Sequence, residues 1–124
     1  MRFEETDSMG VVYYAKFFVW FEVGRIELLR EIGLPPIALA SRKMHTPVVQ
    51  AHADYKASAR YDDEILVRTK IASVGRSSIR FENEVYKLPE VKLICNGHTV
   101  HTLVNAEGKP VQIPEDIRSV YLSS

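Results

Sequence analysis

The sequence predicts an α+β domain in which a curled antiparallel sheet surrounds one long central helix. Three observations carry this reading. A single amphipathic stretch lies near the start of the chain, and almost everything after it alternates with a period of two, as strands do. The length of 124 residues suffices for one core, and no repeat, linker or low-complexity stretch divides it. Residues 1–124 are therefore read as one domain.

The elements follow in order. A short strand is expected over about Arg2–Glu5, followed by a turn from Asp7 to Gly10. The strand is short because the chain begins only six residues before Asp7, so either it is truncated or the true start lies upstream. A helix is expected from about Ala15 to Ile32, stopped by Gly33 and the pair Pro35-Pro36. At about 100° per residue, Phe17, Phe18, Phe21, Gly24, Leu28, Leu29 and Ile32 share its apolar face. Lys16, Trp20, Val23, Glu27, Arg30 and Glu31 share the opposite one. Gly24 costs the helix about 1 kcal/mol relative to Ala, and close approach of another backbone is the expected compensation.

Strands come next. Val49, Ala51, Ala53, Tyr55 and Ala57 alternate with polar residues, Ile65–Val74 is rich in β-branched residues, and Ile79–Tyr86 alternates again. Leu88-Pro89-Glu90 reads as a hairpin turn and Val91–Asn105 as a long final strand, closed by Glu107-Gly108-Lys109-Pro110. A short helix is expected within Pro114–Ser124.

Sixteen basic and sixteen acidic side chains cancel. The chain therefore has no general attraction for nucleic acid or an anionic membrane, and a polyanionic ligand must be met by a local cluster. Cys95 is the single cysteine and sits in an apolar run, which suits a buried thiol in a reducing compartment. No apolar run reaches membrane-spanning length, and the charged first residues do not read as a signal peptide. A cytoplasmic location is expected.

The residues that could carry chemistry begin at Asp7. An acid, a glycine-containing turn and a helix place a carboxylate beside unpaired N–H groups carrying partial positive charge. That combination can hydrolyse an activated acyl compound: the carboxylate attacks or recruits water, and the N–H groups hold the oxyanion. The wider pattern is Asp7-x-x-Gly10-x-x-Tyr13, Phe17-Phe18, Trp20-Phe21-Glu22-x-x-Arg25 and Gly33-Leu34-Pro35. It resembles the opening of hotdog-fold acyl-CoA thioesterases of the 4-hydroxybenzoyl-CoA thioesterase type. Ala57-x-Ala59-Arg60-Tyr61-Asp62-Asp63-Glu64-Ile65 is similar to that family's link between its second and third strands. Asn105-x-x-Gly108-Lys109-Pro110-x-x-Ile113-Pro114 is similar to its ending, so the resemblance spans nearly the whole chain.

The resemblance implies that Asp7 is the catalytic carboxylate, as nucleophile or as general base. It also implies that Tyr14 donates its backbone N–H to the thioester carbonyl. Many relatives carry histidine at that place, but the N–H is common to both residues. Gly10, Val11 and Tyr13 are the implied substrate contacts around the turn. Gly75-Arg76-Ser77-Ser78 is a tight turn with a guanidinium and two hydroxyls, suited to phosphate, and the resemblance places such a turn near the coenzyme A phosphates. Arg60 is the second candidate for those phosphates.

Arg25 projects near the helix's apolar face and needs a partner, which Glu22, three residues earlier, could supply as an ion pair. Glu22 is also the alternative catalytic centre, since some hotdog enzymes use a helix carboxylate. His45, His52, His98 and His101 show no zinc spacing. His98 and His101 are three apart on a strand and so point to opposite faces.

The expected function is hydrolysis of an acyl-CoA thioester to free acid and coenzyme A, with no metal or cofactor. A hotdog dehydratase or hydratase, which needs a histidine against a helix acid, is the first alternative. A non-catalytic acyl-binding protein is the second. Trp20 and Val23 on the outer helix stripe and the long final strand leave too much apolar surface and edge for a monomer. A homodimer or homotetramer with sites at the subunit boundary is therefore expected.

Overall fold

In the computed structural model, residues 16–60 and 63–123 are described. The expected strand Arg2–Glu5 and the Asp7–Gly10 turn lie outside them. The described elements are α1 (Lys16–Glu31), α2 (Pro36–Ala40), β1 (Val48–Tyr55), β2 (Glu64–Val74), β3 (Ser78–Leu88), β4 (Lys92–Thr102) and α3 (Glu115–Leu122). The four strands form one antiparallel sheet in the order β1-β4-β3-β2. The α+β reading and all four strands are as expected.

The expected stop of α1 is visible atom by atom. Gly33 adopts φ 83°, which costs glycine nothing. The Leu34 N–H then donates to the Leu29 carbonyl at 2.8 Å, and the Gly33 N–H to Arg30 at 3.2 Å. This pattern satisfies the last carbonyls of the helix. The short α2 is an addition to the expected elements. Pro36 opens it, where a missing N–H is harmless.

The sheet presents one face to α1. Ile79, Phe81, Asn83 and Val85 of β3 are all buried, and the register aligns Phe81 with Thr99 and Ile79 with His101 on β4. One core cluster gathers Phe17, Phe21, Ala59, Val85, Ile94 and Cys95 near the start of α1. The other gathers Leu29, Leu39, Ile79, Phe81, Leu103, Ile113, Ile117 and Tyr121 toward its end.

Gly24 sits between the clusters. A Cβ there would collide with the Thr69 hydroxyl and lie 3.0 Å from a Val67 methyl carbon. The close approach is therefore by side chains of β2, not by the backbone the sequence suggested. Trp20 is a second correction. It packs edge-on against Phe17 at 4.8 Å between ring centroids and joins the core rather than the outer stripe. Phe17 and Trp20 are three residues apart on one helix, so their side chains are neighbours on its surface. The outer stripe instead carries Val19 and Val23, 47% and 53% exposed.

The final strand ends at Thr102, short of Asn105. The Leu103 N–H turns to the Ser77 carbonyl at 2.7 Å. The Asn105 side chain accepts from the N–H groups of Glu107 and Lys109 at 3.0 and 3.1 Å, closing the loop.

Candidate active site

A groove of about 300 Å³ lies between α1 and the strands β1 and β4. Phe18, Val19 and Phe21 form one wall, with Glu22 and Arg25 further along the helix. Val48, Ala51, Thr99 and His101 form the other. These side chains meet because α1 presents positions 18, 21, 22 and 25 on one line of the helix. The antiparallel register sets Val48 opposite His101 and Ala51 opposite Thr99.

His101 is 1% exposed. Its Nδ1 lies 2.9 Å from the Thr46 carbonyl and its Nε2 3.0 Å from the Thr99 hydroxyl. A carbonyl only accepts, so Nδ1 carries the proton and Nε2 accepts from Thr99. Burial holds the imidazole below its ordinary pKa, the Thr46 carbonyl opposes that shift, and the Arg25 charge adds to it. The ring is a neutral wall of the groove. His98 points to the opposite face of the sheet, as the strand period requires. There it stacks on His52 at 5.5 Å between centroids.

Arg25 is half-buried, and desolvation lowers its pKa against the opposing effects of Glu22 and Tyr121. The expected ion pair with Glu22 is not formed at contact distance among the described residues. Glu22 is exposed and acts on the guanidinium through space.

A second cavity, about 660 Å³, opens on the sheet face away from α1. It is lined by Arg68, Lys70, Arg80, Glu82, Glu84 and their neighbours. Opposite charges meet across it, Lys70 with Glu82 at 3.7 Å and Arg80 with Glu82 at 3.8 Å. Among the described residues, none of the sequence-predicted site (Arg60, Arg76, Ser77 and Ser78) lines it. Among the described residues no group of three or more His, Cys, Asp or Glu side chains converges to hold a metal ion. None of the described helices is long and apolar enough to cross a membrane.

Asp7, Gly10, Val11, Tyr13 and Tyr14 lie outside the described residues. The structure places the other candidates at two ends of the sheet. Arg60 is exposed, beside the fully buried Ala59, and its backbone N–H donates to the Asp63 carboxylate at 2.6 Å. This is the end where Phe17 of α1 meets Tyr55 at 5.2 Å, so it is the end where the helix begins. Arg76, Ser77 and Ser78 occupy the tight turn between β2 and β3, closed by the Gly75 N–H to the Ser78 carbonyl at 2.8 Å. Arg118 of α3 pins that turn, donating to the carbonyls of Gly75 and Val74 at 2.7 and 3.2 Å. The Arg76 side chain remains exposed. The length of β2 separates the two arginines by about 33 Å, so one subunit cannot bring both to the same phosphate.

Sequence reasoning has no means of naming Thr99, His101, Val48 or Ala51 as groove residues. Only the strand register brings them to α1.

A curved antiparallel sheet closed on a long helix, with a groove along that helix, is the hotdog architecture. The chain belongs to the thioesterase-like superfamily, whose family model matches residues 1–120. It is 31% identical over 122 residues to the acyl-CoA thioesterase YbgC of Haemophilus influenzae, covering 96% of this chain and 88% of the relative. The crystal structure of the hypothetical protein TT1821 from Thermus thermophilus superposes with a TM-score of 0.91 at 30% identity, over 99% of this chain and 93% of that one. A thioesterase from the same organism, crystallised with coenzyme A and Zn, superposes with a TM-score of 0.83 at 28% identity. That match covers 98% of this chain and 91% of the other.

Proposed function

We propose that this protein hydrolyses acyl-CoA thioesters, with Asp7 as catalytic carboxylate and the Tyr14 backbone N–H as oxyanion donor. The observation that carries the reading is superfamily membership over residues 1–120, joined to an apolar groove along α1 that an acyl chain would fill. In the reaction, oxygen from Asp7 or from water activated by it adds to the thioester carbonyl carbon. The oxyanion is held by N–H groups at the start of the helix, which have no intrahelical partner. The C–S bond then breaks, and the coenzyme A thiolate leaves and takes a proton. If Asp7 attacks directly, water cleaves the resulting anhydride and restores the carboxylate. Gly10, Val11 and Tyr13 are assigned as substrate contacts on the strength of the family resemblance. Arg60, at the helix-start end, meets the coenzyme A phosphates. Arg76, Ser77 and Ser78, at the far end, reach them only from a neighbouring subunit.

A hydratase needs a histidine free to exchange protons beside a helix acid. His101 and Glu22 do share the groove, but both ring nitrogens of His101 are engaged, by Thr46 and Thr99. This favours hydrolysis. A second copy of the chain would cover Val19, Val23, Val48 and Val49, all exposed beside the edge strand β1. The reading is tested by free-thiol release from a panel of acyl-CoA thioesters. The parent protein should turn over at least one of them, and Asp7→Asn should lose about 10²–10⁴-fold in rate while keeping its fold. Turnover within threefold of the parent would move the assignment to Glu22.

A further inference from the structure

We propose that Arg25 reads the far end of the acyl group, so that substrates whose chain ends in a carboxylate are preferred over methyl-ended chains of equal length. The inference rests on the thioesterase reading and adds the substrate class to it. Its basis is the position of one cation. Arg25 lines the groove together with Phe18, Phe21, Val48 and Ala51, and is half-buried on the helix. Among the described residues no side chain forms a hydrogen bond or ion pair with its guanidinium. A half-buried guanidinium with no contact partner among the described residues is costly in an apolar groove, and a bidentate carboxylate is the ligand whose geometry it matches.

Glu22 is the carboxylate that could compete for this role. It is exposed, where water screens its field, whereas Arg25 is partly withdrawn from water. His101, on the facing wall, registers the sum of the two charges. Arg25 lowers its pKa and Glu22 raises it, so both charges reach the facing wall.

The length of the acyl chain follows from the helix. The described part of α1 begins at Lys16, and Arg25 lies about 13 Å further along the axis. Side chains lean back toward the helix N-terminus, which shortens the gap. With the thioester carbonyl at or before that point, a two- or three-carbon acyl chain is too short to reach Arg25, and a medium-length chain is required. The register orders the parts consistently. The row Val48–His101–Ile79 lies at the Arg76 end of the sheet, away from the helix start.

The test compares three coenzyme A thioesters of eight-carbon acids, ending in a methyl, a hydroxyl or a carboxylate. Thiol release gives kcat/KM for the parent, Arg25→Met and Arg25→Lys. The carboxylate-ended substrate should exceed the methyl-ended one by at least tenfold in the parent. That ratio should collapse in Arg25→Met and survive in part in Arg25→Lys. Calorimetric titration with the free eight-carbon diacid and monoacid supplies a readout independent of turnover. The diacid should bind more tightly to the parent, with the difference shrinking as salt rises. Hydrolysis of the methyl-ended thioester at an equal or higher rate, or an equal preference for the hydroxyl, overturns the inference and leaves the thioesterase reading intact. A ratio unchanged in Arg25→Met also overturns it, because Arg25 would then be only structural. If the parent cleaves no acyl-CoA thioester, the thioesterase reading fails and the substrate class fails with it.

Discussion

Replacing Gly24 by alanine sets two effects of known sign against each other. Alanine is favoured over glycine inside a helix by about 1 kcal/mol. The new methyl group would collide with the Thr69 hydroxyl and stand 3.0 Å from a Val67 methyl carbon, and overpacking of this kind costs about 1–3 kcal/mol. The Thr69 hydroxyl cannot rotate away freely, because it donates to the Asn83 side-chain oxygen at 2.8 Å. Asn83 is 2% exposed, and its amide nitrogen already has no partner among the described residues. Losing the remaining bond would add about 1–3 kcal/mol for a buried unsatisfied group. The steric and polar costs outweigh the propensity gain, and Gly24→Ala should destabilise the fold by about 2 kcal/mol, lowering Tm by about 8 °C. Urea unfolding should show a lower midpoint at constant slope. In the Gly24→Ala/Thr69→Ala double variant the two costs should fall short of their sum by at least about 1 kcal/mol, since the colliding atom is gone. A Gly24→Ala protein more stable than the parent would refute the reasoning, showing that α1 rides loosely over β2.

Tyr14→Phe should retain activity within a few-fold, because phenylalanine keeps the backbone N–H, whereas Tyr14→Pro should be severely impaired; loss of activity in folded Tyr14→Phe would assign the role to the hydroxyl. Burial holds His101 below its ordinary pKa, so below about pH 6.5 the unfolded chain takes up a proton that the folded one refuses. Stability should therefore fall as pH drops from about 6.5 until the folded-state pKa is reached. His98 is shifted in the same direction by desolvation, Arg80 and His52, so His101→Gln should flatten this slope without abolishing it. An unchanged slope in urea midpoints between pH 7 and 5 would exclude His101 as the source. Light scattering at low micromolar concentration should find a dimer or tetramer, and a monomer active at full rate would defeat the proposed subunit-boundary site.

The amino-acid order alone determined the elements whose cause is local. Period-two alternation placed the strands because each successive side chain on a strand changes face. Gly33 ended α1 because only a residue at ease with positive φ completes that cap. The tight turn at Gly75–Ser78 was readable for the same local reason, and so was the opposite facing of His98 and His101.

Tertiary structure decided whatever depends on distant segments meeting. Thr69 lies beneath Gly24 because β2 crosses α1 at that point. His101 became a neutral wall of the groove through burial, and its ring is oriented by the carbonyl of Thr46, a residue 55 positions away. The separation of Arg60 from Arg76 follows from the length of one strand, although both had read equally well as phosphate ligands. Spacing along the chain reports which side chains share a face of one element, and only packing reports which faces meet.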